Sequence, residues 1–262
     1  MRRLPGPVGG PLFHIDLEAP TLQPSCQMQF SPQTEPRQGD GSGPILNVPG
    51  VVLWVVAVLA GMHLVLLWGG EPWLVWAYDE LALNPLALTA TGGHGWTLLS
   101  YMLLHGDWMH LLFNSLWLVI FGTPVARYLG SARFLAVCLV AGLAGGLASL
   151  TLYWGQPVVI IGASGAVSGL ISSAIPIMYG HRVPGGMRPL SFRELRHAPQ
   201  ALLFMAVWLV ITLVSGGTGW TGGSFGSDTV IAWEAHVGGF LGGLLAFYAL
   251  APRSRRSELQ SD

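Results

Sequence analysis

The chain lacks lysine and carries little charge of either sign. Charged residues make up 10% of its 262 residues, and all 12 basic residues are arginines. Soluble domains contain about 25% charged residues, so this composition excludes an ordinary soluble protein. The formal net charge of −1 offers no basic surface for a polyanion, and we expect no nucleic-acid partner. Hydrophobic residues, at 52%, come in long runs, which identifies an integral membrane protein.

Neither the cysteines nor the ends of the chain point to a function. The two cysteines, Cys26 in a polar segment and Cys138 in an apolar run, make neither a disulfide framework nor a metal knuckle. Residues 1–47 are rich in Pro, Gly, Gln and Ser without an apolar period, which predicts a disordered cytoplasmic tail. Residues 252–262 are predicted to form a short cytoplasmic C-terminal tail.

Six apolar runs define a membrane domain, which we assign to residues 48–251. A bilayer core of about 30 Å needs about 20 helical residues, and four of the runs come close to that length. Membrane spans of this kind must be helices, since every backbone polar group has to find a partner within the segment. We therefore predict an all-α bundle of six transmembrane helices. The runs are Val51–Trp68, Met109–Ala126, Phe134–Trp154, Ser164–Tyr179, Ala201–Val214 and Val230–Ala251.

The distribution of arginine predicts the orientation of this bundle. With six spans, every arginine falls on one side of the membrane, and the loops on the other side carry acidic residues but no basic ones. Because arginine-rich loops remain in the cytoplasm, both termini are predicted to be cytoplasmic. We expect a multi-pass integral membrane protein of the plasma (inner) membrane of a bacterium.

Four polar side chains in or beside the apolar runs are the candidate functional residues. Strongly polar groups within a span are costly, and by default they face a cavity or mark a function. His110 and Asn114, four residues apart at the start of the second span, share one helical face. Ser164 lies where an apolar loop turns into the fourth span, and His236 lies several residues inside the sixth. Each residue alone also fits a packing role, which is our interpretation of His63 in the first span.

Stripes of small residues beside Ser164 and His236 predict that their two helices cross closely. The patterns Gly165-x-x-x-Gly169 and Gly238-x-x-x-Gly242 are typical of such crossings. Close approach of the two backbones would bring the serine hydroxyl within reach of the imidazole. This is the geometry that a nucleophile and its general base require.

The same pocket is predicted to contain donors for an oxyanion. Ser164 lies at a helix N-terminus, where backbone N–H groups have no partner within the helix. The side chains of His110 and Asn114 can add further donors. No aspartate within the membrane is placed to orient His236, and Glu234 points to a different helical face. The predicted chemistry is therefore that of a Ser–His dyad.

Three motifs occur in order on the second, fourth and sixth spans, namely H-x-x-x-N, G-x-S-G and A-H-x-x-G. In this order the motifs are highly specific, and from about Leu83 to Gly243 the chain resembles the rhomboid intramembrane serine proteases. The residues that carry the resemblance are Leu83-Asn84-Pro85, Gly95-Trp96, the stretch from His105 to Asn114, Phe121-Gly122, Gly162-Ala163-Ser164-Gly165 and Ala235-His236.

The resemblance implies a role for each candidate residue. Ser164 would be the nucleophile and His236 the general base, while His110, Asn114 and the Ser164 backbone N–H would form the oxyanion hole. The family cleaves transmembrane helices of other membrane proteins and uses no metal or cofactor. We therefore expect membrane-embedded protein substrates as partners within the lipid bilayer, cut near their non-cytoplasmic end.

Two positions depart from the pattern of the family, and one segment matches it by position alone. Thr97 stands where members commonly carry arginine, and Ala126 stands where an acidic residue is common. In the family, side chains at these two positions support the first long loop, residues 70–108 in this chain, and take no part in the chemistry. The glycine-rich segment Ser215–Asp228 resembles, by position, the mobile cap that opens for substrate entry.

Three other functions are compatible with some of these residues. A transporter or channel could use histidine and serine within the membrane, but the chain has no internal repeat and no carboxylate deep in the membrane. An inactive rhomboid-like protein would usually lack the serine or the histidine, and this chain has both. A metal site would leave the serine and the asparagine without a role. Its ligands would come from His94, His105, His110 and His236.

Overall fold

The computed structural model describes residues 47–92, 94–184, 186–218 and 232–252. The predicted N-terminal tail and nearly all of the predicted C-terminal tail lie outside these ranges. The helices within them are α1 Gly50–Gly69, α2 Glu71–Leu81, α3 Pro85–Thr91, α4 Thr97–Ser100, α5 Trp108–Leu129, α6 Ser131–Leu152, α7 Ser164–Met178, α8 Phe192–Leu195, α9 Pro199–Thr218 and α10 Trp233–Leu250.

Each of the six apolar runs contains a helix among its described residues, and four of these helices are long and apolar enough to cross a membrane. These four are α1, α5, α6 and, from Pro199 to Gly216, α9. The helix α7 has 15 residues and α10 has 18. The protein is therefore a helical integral membrane protein with four candidate spans among the described residues. That α7 and α10 also cross the bilayer, and that both termini are cytoplasmic, remain predictions.

The segment Ser215–Asp228, predicted to be a loop, begins as helix. The helix α9 continues to Thr218, so the first residues of the segment extend a membrane helix. A methyl group on Gly216 would lie 2.6 Å from the side chain of Trp233 at the start of α10. The end of α9 therefore packs against α10. Residues 219–228, which make up the rest of the predicted cap, lie outside the described ranges.

The long loop between α1 and α5 is folded and held together by its own polar groups. It contains α2, α3, α4 and a 3₁₀ turn at Tyr101–Leu103. Thr97, at a position where arginine is common in the family, is buried and donates a hydrogen bond from its hydroxyl to the carbonyl oxygen of His94 at 2.7 Å. The indole N–H of Trp96 donates to the carbonyl oxygen of Glu80 at 2.8 Å. Local hydrogen bonds thus fix this loop without an arginine at position 97.

A two-stranded antiparallel sheet, which the sequence did not predict, follows α7. Its strands are β1 His181–Val183 and β2 Gly186–Arg188, with His181 opposite Arg188. The Arg188 guanidinium donates to both carboxylate oxygens of Glu194 in α8, at 2.8 and 3.1 Å, and it lowers the pKa of that carboxyl group. Glu194 also forms a capping box with Ser191. The connection from α7 to α9 is therefore a folded element.

The helix α7 lies at the centre of the molecule and packs against α5, α6 and α10. Every residue from Gly165 to Ile177 is buried. Its crossing with α10 is made by glycines, as predicted, but on a neighbouring stripe of α10. A methyl group on Gly243 would overlap the backbone of Gly169, whereas the predicted stripe Gly238-x-x-x-Gly242 faces α6. The glycine-rich helix α10 thus uses one stripe for each of two neighbours.

We expect Gly243→Ala to destabilise the protein, because the new methyl group has no space at the crossing of α7 and α10. Overpacking of a core costs about 1–3 kcal/mol, and here the opposing atoms belong to the backbone. Gly61→Ala is the matched control, since a methyl group on this α1 glycine would meet no atom within 4 Å. Thermal unfolding of both purified variants in detergent measures the difference. Equal unfolding temperatures would contradict the close crossing.

Candidate active site

The N-terminus of α7 places the hydroxyl of Ser164 at the accessible end of a buried helix. Ser164 is partly exposed, whereas the helix that follows it is buried. Ala163 is the N-cap and makes no side-chain hydrogen bond to the helix. The N–H groups of the first turn, including that of Ser164, therefore have no acceptor within α7.

A close contact between α7 and α10 lies next to Ser164 on one helix and next to His236 on the other. A methyl group on Gly239 would overlap the carbonyl group of Gly165, the residue after Ser164. A methyl group on Gly165 would in turn lie 3.3 Å from the carbonyl oxygen of Ala235, the residue before His236. The predicted close approach of the two helices is confirmed between Gly165, which follows Ser164, and Ala235, which precedes His236.

The imidazole of His110 lies against the segment that leads to Ser164. Asp107 caps α5 by accepting a hydrogen bond from the backbone N–H of His110 at 2.8 Å, which fixes the first turn of that helix. A Cβ atom on Gly162 would lie 2.6 Å from Nε2 of His110. Gly162 has a φ of +115°, a conformation that favours glycine.

Asn114 is buried one turn after His110 on the same face of α5. Its amide nitrogen donates a hydrogen bond to the carbonyl oxygen of His110 at 3.0 Å. An amide carries two N–H groups, so this bond occupies one donor and leaves a second. The structure thus places Asn114 beside His110, with part of its side chain engaged by its own helix.

Comparison with known proteins assigns the chain to a family. Residues 92–253, more than half of the chain, match the model of the Rhomboid domain family. The chain belongs to the rhomboid family. The Bacillus subtilis protein YdcA, named for the same family, is 27% identical over 70% of this chain and 86% of its own length. The rhomboid protease GluP of Bacillus subtilis is 31% identical over 60% of this chain, and the rhomboid protease GlpG of Pectobacterium atrosepticum is 32% identical over 57%.

The matched segments cover 26% of GluP and 46% of GlpG, so both of these relatives extend well beyond the shared region. Rhomboid proteases are serine proteases that act within membranes, and this protein belongs to that enzyme class. The protein is an integral membrane protein, and its family carries out intramembrane proteolysis. The family and the enzyme class predicted from the motifs are confirmed.

The long loop of this rhomboid protein fixes the segment before Ser164, a contribution that sequence reasoning missed. Leu83 and Ile160 exchange two backbone hydrogen bonds, at 3.1 and 2.9 Å. Gly162 donates its N–H to the carbonyl oxygen of Tyr101 at 2.9 Å. The segment that enters α7 is therefore held at two points by the loop between α1 and α5. The sequence showed Leu83 within a family motif, but nothing in it revealed the partner.

Two further histidines of this rhomboid protein lie near the start of α5, the helix that carries His110. His105 is buried, with its ring centroid 5.0 Å from that of His110. The pKa of His105 is lowered to about 3, mainly by burial and further by the positive charge of a protonated His110. His105 is therefore neutral at physiological pH. His63 is also buried, with its ring 4.7 Å from that of Trp108 in an edge-on contact. This contact fits the packing role expected for His63.

The histidines considered for a metal site do not form one within the ranges that the structure covers. No group of three or more His, Cys, Asp or Glu side chains there is placed to hold a metal ion. His94 instead stacks on Trp96, with ring centroids 4.7 Å apart. The geometry therefore does not favour the metal alternative, which required His94, His105, His110 and His236.

Glu234 is directed toward α6. Its Oε1 accepts a hydrogen bond from the Ser149 hydroxyl at 3.2 Å, and both side chains are buried. This placement agrees with the prediction that Glu234 and His236 point to different helical faces. The carboxyl group consequently connects α10 to α6 and does not orient the imidazole of His236.

Proposed function

We propose that this rhomboid protein cleaves transmembrane helices of other membrane proteins through a dyad of Ser164 and His236. The observation that carries the proposal is the contact between Gly165 and Gly239, which lies beside Ser164 on α7 and within one turn of His236 on α10. A serine hydroxyl is a weak nucleophile until a positioned imidazole takes its proton. Because Glu234 is engaged by Ser149, the imidazole acts without a carboxylate partner.

His236 transfers protons in both halves of the reaction. It takes the proton of the Ser164 hydroxyl as the oxygen attacks the scissile carbonyl carbon. It returns that proton to the leaving amine as the C–N bond breaks, which leaves an acyl-enzyme ester. Water then attacks the ester, His236 takes a proton from the water, and this proton returns to the Ser164 oxygen as the acid product leaves.

Three groups are proposed to stabilise the oxyanion of the tetrahedral intermediate. The backbone N–H of Ser164 has no acceptor within α7, and the imidazole of His110 lies against Gly162, two residues before the nucleophile. Asn114 contributes its second amide N–H, because the first is bonded to the carbonyl oxygen of His110. Donors fixed before the charge develops are the most effective, because they need not reorganise during the reaction.

We place six spans in the plasma (inner) membrane of a bacterium, with both termini in the cytoplasm. The distribution of the arginines supports this orientation. The candidate residues Ser164, His110 and His236 all belong to the first turns of their helices, α7, α5 and α10. In this orientation those first turns lie near the non-cytoplasmic surface, where water for deacylation is close.

A substrate helix that arrives from lipid has all of its backbone hydrogen bonds made. Its scissile bond is open to attack only after the helix unwinds locally. The protein is therefore expected to prefer membrane-embedded protein substrates with glycine, proline or other helix-weakening residues near their non-cytoplasmic end. No metal or cofactor takes part in the proposed chemistry.

Cleavage of a model transmembrane substrate by the purified protein tests the proposal. We expect mass spectrometry to locate the cut near the non-cytoplasmic end of the substrate span. A fluorophosphonate should label Ser164 and block cleavage, whereas EDTA should leave the rate unchanged. A substrate with a poly-leucine span should be cut more slowly, because this helix resists unwinding. A cut at the cytoplasmic end, or cleavage that persists after full labelling, would contradict the proposal.

A further inference from the structure

Tyr101 is buried where the long loop between α1 and α5 meets α6 and α7. Only 1% of its surface is exposed. Its hydroxyl donates a hydrogen bond to the carbonyl oxygen of Gly142 in α6 at 2.9 Å. Burial raises the pKa of this hydroxyl, so it stays protonated and remains a donor. One turn of α6 therefore anchors the loop through a single side chain.

The backbone of the same residue holds the segment that leads to the nucleophile. The carbonyl oxygen of Tyr101 accepts the N–H of Gly162 at 2.9 Å. Gly162 lies two residues before Ser164 and touches the imidazole of His110. One residue thus connects α6 with both the serine segment and an oxyanion side chain.

Glycines of two helices leave the space that the Tyr101 side chain fills. A methyl group on Gly145 of α6 would lie 3.1 Å from the tyrosine hydroxyl oxygen, and one on Gly146 would lie 3.2 Å from the ring. A methyl group on Gly165 of α7 would lie 3.0 Å from the hydroxyl oxygen. Gly165 directly follows Ser164 in the chain. An enclosed side chain of this kind has little freedom to shift, so it fixes the groups bonded to it.

We propose that Tyr101 is a positioning residue of the active site, an inference that rests on the function proposed above. Its hydroxyl fixes the loop to α6, and its carbonyl group fixes Gly162. His110 and the backbone N–H of Ser164 thereby keep the arrangement that a developing oxyanion requires. Displacement of such groups by about 1 Å can cost about 10²-fold in rate, so a single remote hydrogen bond can control turnover.

Tyr101→Phe tests the proposal, because it removes the hydroxyl and keeps both the ring and the backbone carbonyl. We expect kcat to fall about ten-fold or more with KM unchanged, since the hydroxyl acts on the oxyanion donors and not on substrate docking. Titration with a fluorophosphonate counts the reactive serines, so that kcat refers to each active molecule. Tyr153→Phe is the matched control. Tyr153 packs against the same cluster of buried residues, and its hydroxyl makes no hydrogen bond within the ranges described.

A role in stability alone gives a different result. It predicts fewer titratable serines and a lower unfolding temperature, with a normal kcat for each titrated site. That result, or a wild-type kcat in Tyr101→Phe, overturns the proposal. A ten-fold loss in Tyr153→Phe would also overturn it, because the effect would then not depend on the bond to Gly142. Absence of cleavage by the wild-type protein would overturn the proposed function, and this proposal with it.

Discussion

Ser164→Ala and His236→Ala are each expected to reduce cleavage of a transmembrane substrate by about 10⁴-fold or more. The nucleophile and its base act as one unit, so the loss of either removes most of the catalysed rate. Ser168→Ala is the matched control, because Ser168 lies one turn further along α7 and is buried in the helix core. Turnover per folded molecule, with thermal unfolding recorded for each variant, measures the effect.

The outcomes that would contradict the dyad are specific. Cleavage by Ser164→Ala at a tenth of the wild-type rate would exclude Ser164 as the nucleophile. An equal loss in Ser168→Ala would indicate that α7 is disturbed as a whole. Inhibition by a chelator with recovery on addition of zinc would favour the metal alternative.

Gly162→Ala is expected to lower cleavage at least as strongly as His110→Ala. Loss of one oxyanion donor typically costs about 10²–10³ in rate. The Cβ atom of the new alanine would lie 2.6 Å from Nε2 of His110, so the imidazole would have to move. The φ of +115° is also one that an L-residue rarely adopts. Both effects act on the segment that ends at Ser164, and steady-state cleavage measures their sum.

Gly155→Ala separates the displacement of His110 from the backbone strain. Gly155 precedes the same segment and also has a positive φ, at +68°. The nearest atom to its new Cβ would be the Thr89 hydroxyl oxygen at 4.0 Å, an ordinary contact. The control therefore carries strain, of about 1–3 kcal/mol, without a clash. Equal losses of activity in the two variants would contradict the assignment of the effect to His110.

The sequence determined the six long helices that lie in its apolar runs, because the requirement for a bilayer span is local. The first run was predicted as Val51–Trp68, and α1 is Gly50–Gly69. The sequence also showed which polar side chains enter these runs and which share a face, as His110 and Asn114 do. Length, hydropathy and helical periodicity depend on neighbouring residues alone. The motif pattern was sufficient for the family and the enzyme class.

Only the tertiary structure decided which of these groups meet. Two glycine stripes run side by side on α10. The stripe that faces α7 contains Gly239 and Gly243, and each of them is one residue after a glycine of the predicted stripe. A local pattern leaves the choice open, because the rotation of α10 depends on α6 and α7 packing against it together. The bond from Gly162 to Tyr101 and the contact of Gly162 with His110 likewise join segments far apart in the chain. Such contacts depend on the relative placement of helices and loops, which no local periodicity fixes.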